Sequence, residues 1–354
     1  VGEDANIQWH DNQRFEQEIR PLIINDLRSG VKHSGCHHCW QEESLNHKSM
    51  RLVWNSRISR EAVETAKKNQ DVLDIELSLG NKCNLRCIMC GPYASSQWDV
   101  ALQKNPKKLS RWQIANGDRE EWWEQPGFME WLKQHLATAL RIDITGGEPL
   151  LLPQTLEILQ HIIDLDRGDA IHVQFNTNFT RVSDAIIDKL SQIAKVSLVI
   201  SLEGTGEKND YLRYPAQWID IETNLAKVKQ RLPRAYIGVN HTLQHTSVYC
   251  LPELAYWCYD NNLMLHLTTV QGMRPLDMRG VPPRDMTRFL IWTQEFSWPN
   301  YLTNLQSEPV MQYVQSLAKI QFDREQYDNF RDYITVIDEL NNMKYDEIFC
   351  PAAI

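Results

Sequence analysis

The chain has 354 residues, 42% hydrophobic and 23% charged, with a formal charge of −9. That balance suits a globular core and sets aside disorder, collagen and coiled coil. It contains no apolar run of about 18 residues, the length a bilayer span needs. Its acidity argues against a surface for polyanions, so neither membrane nor nucleic acid is an expected partner. Val1 is not an initiator Met and no basic-then-apolar segment follows it, which leaves a missing natural N-terminus open. Eight cysteines are too few for a disulfide scaffold, and five of them fall in two tight clusters. Clustering of that kind reads as metal chemistry in a reducing compartment, with the cytoplasm as the default location.

Residues 1–70 are polar and helix-prone around a His- and Cys-rich loop, His33 to Cys39, and Glu61 to Asn69 reads as an exposed helix. A rhythm then sets in. Apolar, β-prone runs fall at Val72–Leu79, Leu140–Thr145, Ile171–Asn176, Val196–Leu202, Ala235–Asn240 and Leu263–Val270. Between them, sets such as Leu156, Leu159, Ile163 and Ile221, Leu225, Val228, Leu232 repeat every three or four residues, the spacing of one buried helix face. Strand alternating with helix predicts an α/β fold, a partial (β/α)6 TIM-like barrel of parallel strands, with functional groups at the strands' C-terminal ends. Ala101–His135 is longer than a crossover needs and carries Trp112, Trp122, Trp123 and Trp131, more a packing element or lid than a platform for substrate. After Gly272 the strand rhythm stops, and Pro282-Pro283 marks a boundary. The expected organisation is an N-terminal helical region over 1–70, a barrel over 71–272 and a helical C-terminal region over 273–354.

Directly after the first strand comes Cys83-Asn84-Leu85-Arg86-Cys87-Ile88-Met89-Cys90, a C-x3-C-x2-C loop. A tight loop turns three thiolates toward one point, as iron–sulfur ligation requires, and leaves one iron of a cubane without a protein ligand. A structural zinc site would need a fourth Cys or His, and none is close in sequence. The later strands end in polar sets in the same order: Thr145-Gly146-Gly147-Glu148-Pro149, Asn176-Thr177-Asn178, Ser201-Leu202-Glu203-Gly204 and Asn240-His241-Thr242, with Tyr211-Leu212-Arg213-Tyr214-Pro215 between the last two.

On these motifs residues 72–270 resemble the radical S-adenosylmethionine (SAM) superfamily. The resemblance implies a [4Fe-4S] cluster on Cys83, Cys87 and Cys90, and SAM on its open iron. It further implies a one-electron reductant such as flavodoxin or ferredoxin, and a 5′-deoxyadenosyl radical that takes hydrogen from a substrate. It assigns SAM contacts to Met89, where the superfamily often has an aromatic residue against adenine, and to Gly146, Gly147 and Glu148, the last as acceptor for the ammonium group. Arg213 would face the carboxylate, Ser201, Glu203 and Asn240 would contact the ribose, and Asn176 completes the cofactor-binding set.

The second cluster is Cys36-His37-His38-Cys39-Trp40, and three readings stay open: half of an auxiliary iron–sulfur site, half of a zinc site with His33, His37 or His38, or two free thiols. Arg20, Leu22, Gly30, Cys36, Cys39, Trp40, Glu43, Ser49 and Arg51, with Ile7, Gln8 and Trp9 upstream, resemble a SPASM/Twitch-type auxiliary-cluster region placed before the barrel. Such regions accompany peptide maturation, so the resemblance implies a peptide or protein substrate, with a small molecule (nucleotide, sugar or cofactor precursor) as the alternative. A non-catalytic iron–sulfur or zinc protein is the remote third reading. Cys250 and Cys258 read as buried structural cysteines, and Cys350 as a free thiol or a hydrogen-atom donor.

Overall fold

The computed structural model describes residues 18–44, 49–69, 71–109, 122–124, 127–270, 274–296 and 316–349. Ile7, Gln8, Trp9, Trp112 and Cys350 lie outside them. The described residues fall into two compact units, those within Val1–Asp74 and Glu120–Ala139 and those within Ile75–Arg119 and Leu140–Ile354.

In the first unit four helices follow one another: α1 (Arg20–Arg28), α2 (His37–Ser44), α3 (Met50–Arg57) and α4 (Arg60–Asn69). Ser49 caps α3 by accepting the Leu52 amide at 3.2 Å. The same hydroxyl donates to Glu43 at 2.5 Å, and Glu43 also takes the Arg51 guanidinium through both its oxygens. Arg51 in turn lies 4.4 Å over the Trp40 ring. Trp40, Glu43, Ser49 and Arg51, four scattered members of one sequence pattern, thus form a single clip that ties α2 to α3. A later helix of this unit, α7 (Phe128–Leu136), buries Phe128, Leu132 and Leu136. Trp123 is buried, and Trp131 packs between Phe128 and His135, so both act as packing groups.

The second unit holds β1 (Asp74–Leu79, begun one residue earlier), β2 (Arg141–Gly146), β3 (His172–Thr177), β4 (Lys195–Ser201), β5 (Tyr236–Leu243) and β6 (Met264–Thr269) in one sheet, in the order of the chain. Pairing is parallel from β2 to β6. This is the expected α/β, TIM-like arrangement. The crossovers are α8 (Pro153–Asp164), α9 (Asp184–Leu190), α10 (Gly206–Leu212) with α11 (Trp218–Arg231), and α12 (Ser247–Asp260).

Strand alternation sorts side chains to two faces. One face is apolar: Ile142, Ile144, Val173, Phe175, Leu198, Ile200 and Val239 are fully buried, as are Ile158 and Leu159 of α8 and Ile221 and Val228 of α11. At about 25 cal/mol per Å² of apolar area, burial of this layer is the main term holding the sheet to its helices. The other face is polar, with Asp143, Gln174, Asn176, Ser197, Ser201, Tyr236, Asn240, His266 and Thr268 following the same parity through the strand registers.

After β6 come α13 (Pro283–Glu295), α14 (Arg324–Asn341) and α15 (Tyr345–Phe349). Asp323 caps α14 by accepting the Gln326 amide at 3.2 Å, and Asn342, in the left-handed region, ends it. Its buried face, Phe330, Tyr333, Ile334 and Ile337, joins one apolar cluster with Leu85, Cys87, Ile88, Met89 and Trp98.

Candidate active site at the cysteine loop

The loop between β1 and α5 (Ser96–Lys104, followed by the short α6, Pro106–Leu109) has almost no secondary structure of its own, so its backbone groups need partners from elsewhere. They have them. Arg86 donates its amide to the Tyr214 carbonyl at 2.6 Å and Ile88 to that of Leu212 at 2.9 Å. Trp98, fully buried, donates its indole N–H to the Cys87 carbonyl at 2.9 Å, and Ser95 donates to the Leu85 carbonyl. Tyr333 of α14 donates its hydroxyl to the Ile88 carbonyl at 2.7 Å, and Arg86 reaches Asn341 at 2.5 Å.

The sulfur atoms are approached by N–H donors. Leu85 N lies 3.4 Å and Asn178 Nδ2 3.8 Å from Cys83 Sγ, and Arg213 Nη1 lies 3.8 Å from Cys87 Sγ. Cys87 and Cys90 share a hydrogen bond. It holds Cys90 below the ordinary thiol range and, with burial, Cys87 well above it. Burial, followed by the Cys87 charge, pushes Cys83 up to about 12. The Arg213 charge pulls Cys87 and Cys90 down without overcoming burial and the shared bond at Cys87; a bound metal cation would favour the thiolates further.

Gly146 and Gly147 bring the end of β2 against this loop. Gly146 has φ +123°, and a side chain there would come within 2.8 Å of the Leu79 amide nitrogen. A side chain on Gly147 would collide with the Lys82 carbonyl, the acceptor of the Glu148 amide at 2.9 Å. The close approach these glycines allow is to the chain's own backbone.

Glu148 is 1% exposed and its carboxylate accepts from Thr177 Oγ1 at 2.6 Å, the Asn178 amide at 2.6 Å and the Leu150 amide at 3.1 Å. A carboxylate has about four acceptor positions, so three internal donors leave one. Burial raises its pKa to about 7 against the pull of those bonds. Asn178 also donates to Asn84 at 2.9 Å, which ties the end of β3 to the cysteine loop.

The remaining residues implied by the resemblance divide into two groups. Asn176, Ser201 and Asn240 share the polar face near the strands' C-terminal ends, with Ser201 in register with Asn240. Glu203, Arg213 and Met89 are buried instead. Met89 belongs to the apolar cluster, and Glu203 binds Arg213 at 2.5 Å. Sequence reasoning missed Thr177, Asn178 and Trp98 as supports of the site, and Tyr333 and Asn341 altogether; only the polar strand end at 176–178 carried a local signal.

Cys36 ends a short 3-10 turn and Cys39 lies in the first turn of α2; both are half-buried and free. Nearby, His33 Nδ1 accepts the Gly35 amide, and the His37 and His38 rings lie 4.1 Å apart. Among the described residues no group of three or more His, Cys, Asp or Glu side chains stands ready to hold a metal ion. The two motifs still differ in donor chemistry, since the triad supplies three interacting thiols, two of them with an N–H group near sulfur.

Residues 77–246 match the sequence model of the Radical SAM superfamily. No curated protein sequence matches the chain. Several solved structures are similar at low identity. SuiB of Streptococcus suis bound to precursor peptide SuiA shows 16% identity over 69% of this chain and 50% of that one, with a TM-score of 0.44. Native anSMEcpe with bound AdoMet shows 17% identity over 64% of this chain and 61% of that one, at 0.41. TsrM from Kitasatospora setae, a radical SAM methyltransferase, shows 12% over 58% and 37%, at 0.39. The chain spans about half the length of the SuiB chains it matches. Among the described residues no helix is long and apolar enough to cross a membrane.

Proposed function

From the match of residues 77–246 to the Radical SAM superfamily model and the cysteine loop it includes, we propose that the chain is a radical SAM enzyme that holds a [4Fe-4S] cluster on Cys83, Cys87 and Cys90. Its reductant is a one-electron carrier such as flavodoxin or ferredoxin, in a reducing compartment such as the cytoplasm. When bound, the cluster and SAM supply a 5′-deoxyadenosyl radical able to take hydrogen from an unactivated C–H bond. The observation that carries this reading is the loop itself: three buried or half-buried thiols, each interacting with the others, in a backbone tied down from five directions. Such anchoring fixes the backbone that carries the three thiols. Glu148 keeps one acceptor position for an ammonium group, and Asn176, Ser201 and Asn240 offer donors and acceptors on the polar face for a ribose. Burial of the loop excludes water from the reacting centre.

The substrate we assign is a peptide or protein. The polar face supports this: Gln174, Ser197, Tyr236, Asn240, His266 and Thr268 line four parallel strands with side chains that can exchange their present partners for those of a polar chain. To test both parts, the protein is reconstituted anaerobically with iron and sulfide, reduced with dithionite and given SAM. 5′-Deoxyadenosine is expected from wild type and not from the Cys83→Ala/Cys87→Ala/Cys90→Ala variant. Deuterium reaching 5′-deoxyadenosine from a perdeuterated peptide pool supports the peptide assignment. Transfer only from a pool of small metabolites shifts the assignment to a nucleotide, sugar or cofactor precursor. A wild type that makes no deoxyadenosine and retains zinc overturns the enzyme.

A further inference from the structure

Glu203 is fully buried at the end of β4, a place where an unpaired carboxylate would be very costly. Every side of it is engaged. Oε1 takes the Arg213 guanidinium at 2.5 Å, while Oε2 takes the Thr242 amide at 3.0 Å and Gln244 Nε2 at 3.3 Å. His241 Nδ1 stands 3.4 Å from the same oxygen. The carboxylate is therefore fixed from β5 and its following turn, and it cannot rotate without breaking several bonds. The guanidinium it holds is itself buried, and its other terminal nitrogen, Nη1, points at Cys87 Sγ from 3.8 Å. Its backbone is set as well, the Arg213 amide donating to Asn209 O at 2.8 Å.

We infer that Glu203 is a positioning residue that holds the Arg213 guanidinium against the Cys87 sulfur, and that this fixed positive charge sets the reduction potential of the cluster bound there. The inference rests on the radical SAM reading above. It differs from the roles the resemblance implies, a SAM carboxylate for Arg213 and the ribose for Glu203. Hydrogen bonds to ligand sulfurs and net charge are two main determinants of an iron–sulfur potential. In a buried site both act with little screening. A planar guanidinium serves two acceptors at fixed angles, which a lysine ammonium cannot. A positive charge beside the cluster stabilises the reduced, more negative state and raises the potential. Glu203 offsets part of that charge from the far side of the guanidinium. The two residues therefore pull in opposite directions, Arg213 up and Glu203 down.

That opposition is the test. Wild type, Glu203→Gln, Arg213→Met and the double variant are reconstituted, iron is counted, and the midpoint potential is read by redox titration with electron paramagnetic resonance in the absence of SAM. The expected result is a higher potential in Glu203→Gln, a lower one in Arg213→Met, and the double variant between the two singles. Equal potentials at about four iron per chain, or shifts of the same sign, overturn the inference. Arg213→Met leaves a buried carboxylate without its cation. Where that variant does not fold, the upward shift in Glu203→Gln and the position of the double variant, which removes both charges, decide the matter. A wild type that takes up no cluster refutes the radical SAM reading itself, so the two failures are told apart by the iron count.

Discussion

Two cysteine motifs stand in this chain, one in each compact unit, and they differ most in what surrounds them. Cys36 and Cys39 sit on a short turn and a helix start whose neighbouring polar groups are already satisfied by each other: His33 by Gly35, Glu43 by Ser49 and Arg51. Cys83, Cys87 and Cys90 sit on a loop whose carbonyls and amides are bound by residues as far as 245 positions away in sequence, and whose sulfurs are approached by N–H donors. Spacing alone makes both look like ligand sets. Backbone anchoring and N–H donors near Cys83 and Cys87 distinguish the surroundings of the triad from those of the pair.

The sharpest way to break that contrast is to delete each motif in turn. Replacing the triad with alanine is expected to abolish deoxyadenosine formation and to remove about four iron per chain. Iron persisting in that variant at the same level would move a cluster to Cys36 and Cys39. Next in size is Trp98→Ala. Its side chain is fully buried and bonded to Cys87 O, so a loss of about 3–5 kcal/mol is expected from the cavity and the bond. Denaturant unfolding reads it; a cost below about 1 kcal/mol would show that the loop does not depend on this anchor.

A third prediction uses pH. The folded pKa of Glu148 is about 7 against an ordinary 4.5, chiefly through burial. Folding therefore takes up a proton there, and the associated stability is fully present below about pH 4.5 and declines as pH rises through about 7. The two pKa values bound the decline at about 3 kcal/mol. Glu148→Gln should flatten this part of the stability profile, measured by urea unfolding from pH 4 to 8. An unchanged slope would place the proton elsewhere. The smallest effect belongs to the other motif: Cys36→Ser with Cys39→Ser should stay within about 0.5 kcal/mol and keep the triad's iron. A parallel loss of iron would erase the distinction.

Much of this architecture can be read from residues close together in the chain. The six strands lie within a few residues of the runs expected, because period-two and period-three-to-four patterns are local and independent of the rest of the fold. β5 runs on to Leu243, past the expected Asn240, because its end alternates polar Asn240 and Thr242 with His241 and Leu243, and only the pairing with β6 shows it as strand. The candidate site divides along the same line. The thiols and the glycines are visible as spacing. The partners of Glu203 are not, since Thr242 and Gln244 lie some forty residues on and bind through a backbone amide and a side-chain amide that carry no motif. Tyr333 and Asn341 are further still, in a C-terminal stretch whose sequence reads only as helical.

That helix also imposes a timetable. Tyr333 follows Ile88 by 245 residues, and at about 5–20 residues per second a ribosome needs roughly 10–50 s to cover the gap. Throughout that interval the cysteine loop exists without this anchor, its Ile88 carbonyl and Arg86 side chain still served by water. α14 ends the wait, so the loop gains its most distant anchors only after 245 further residues have been made.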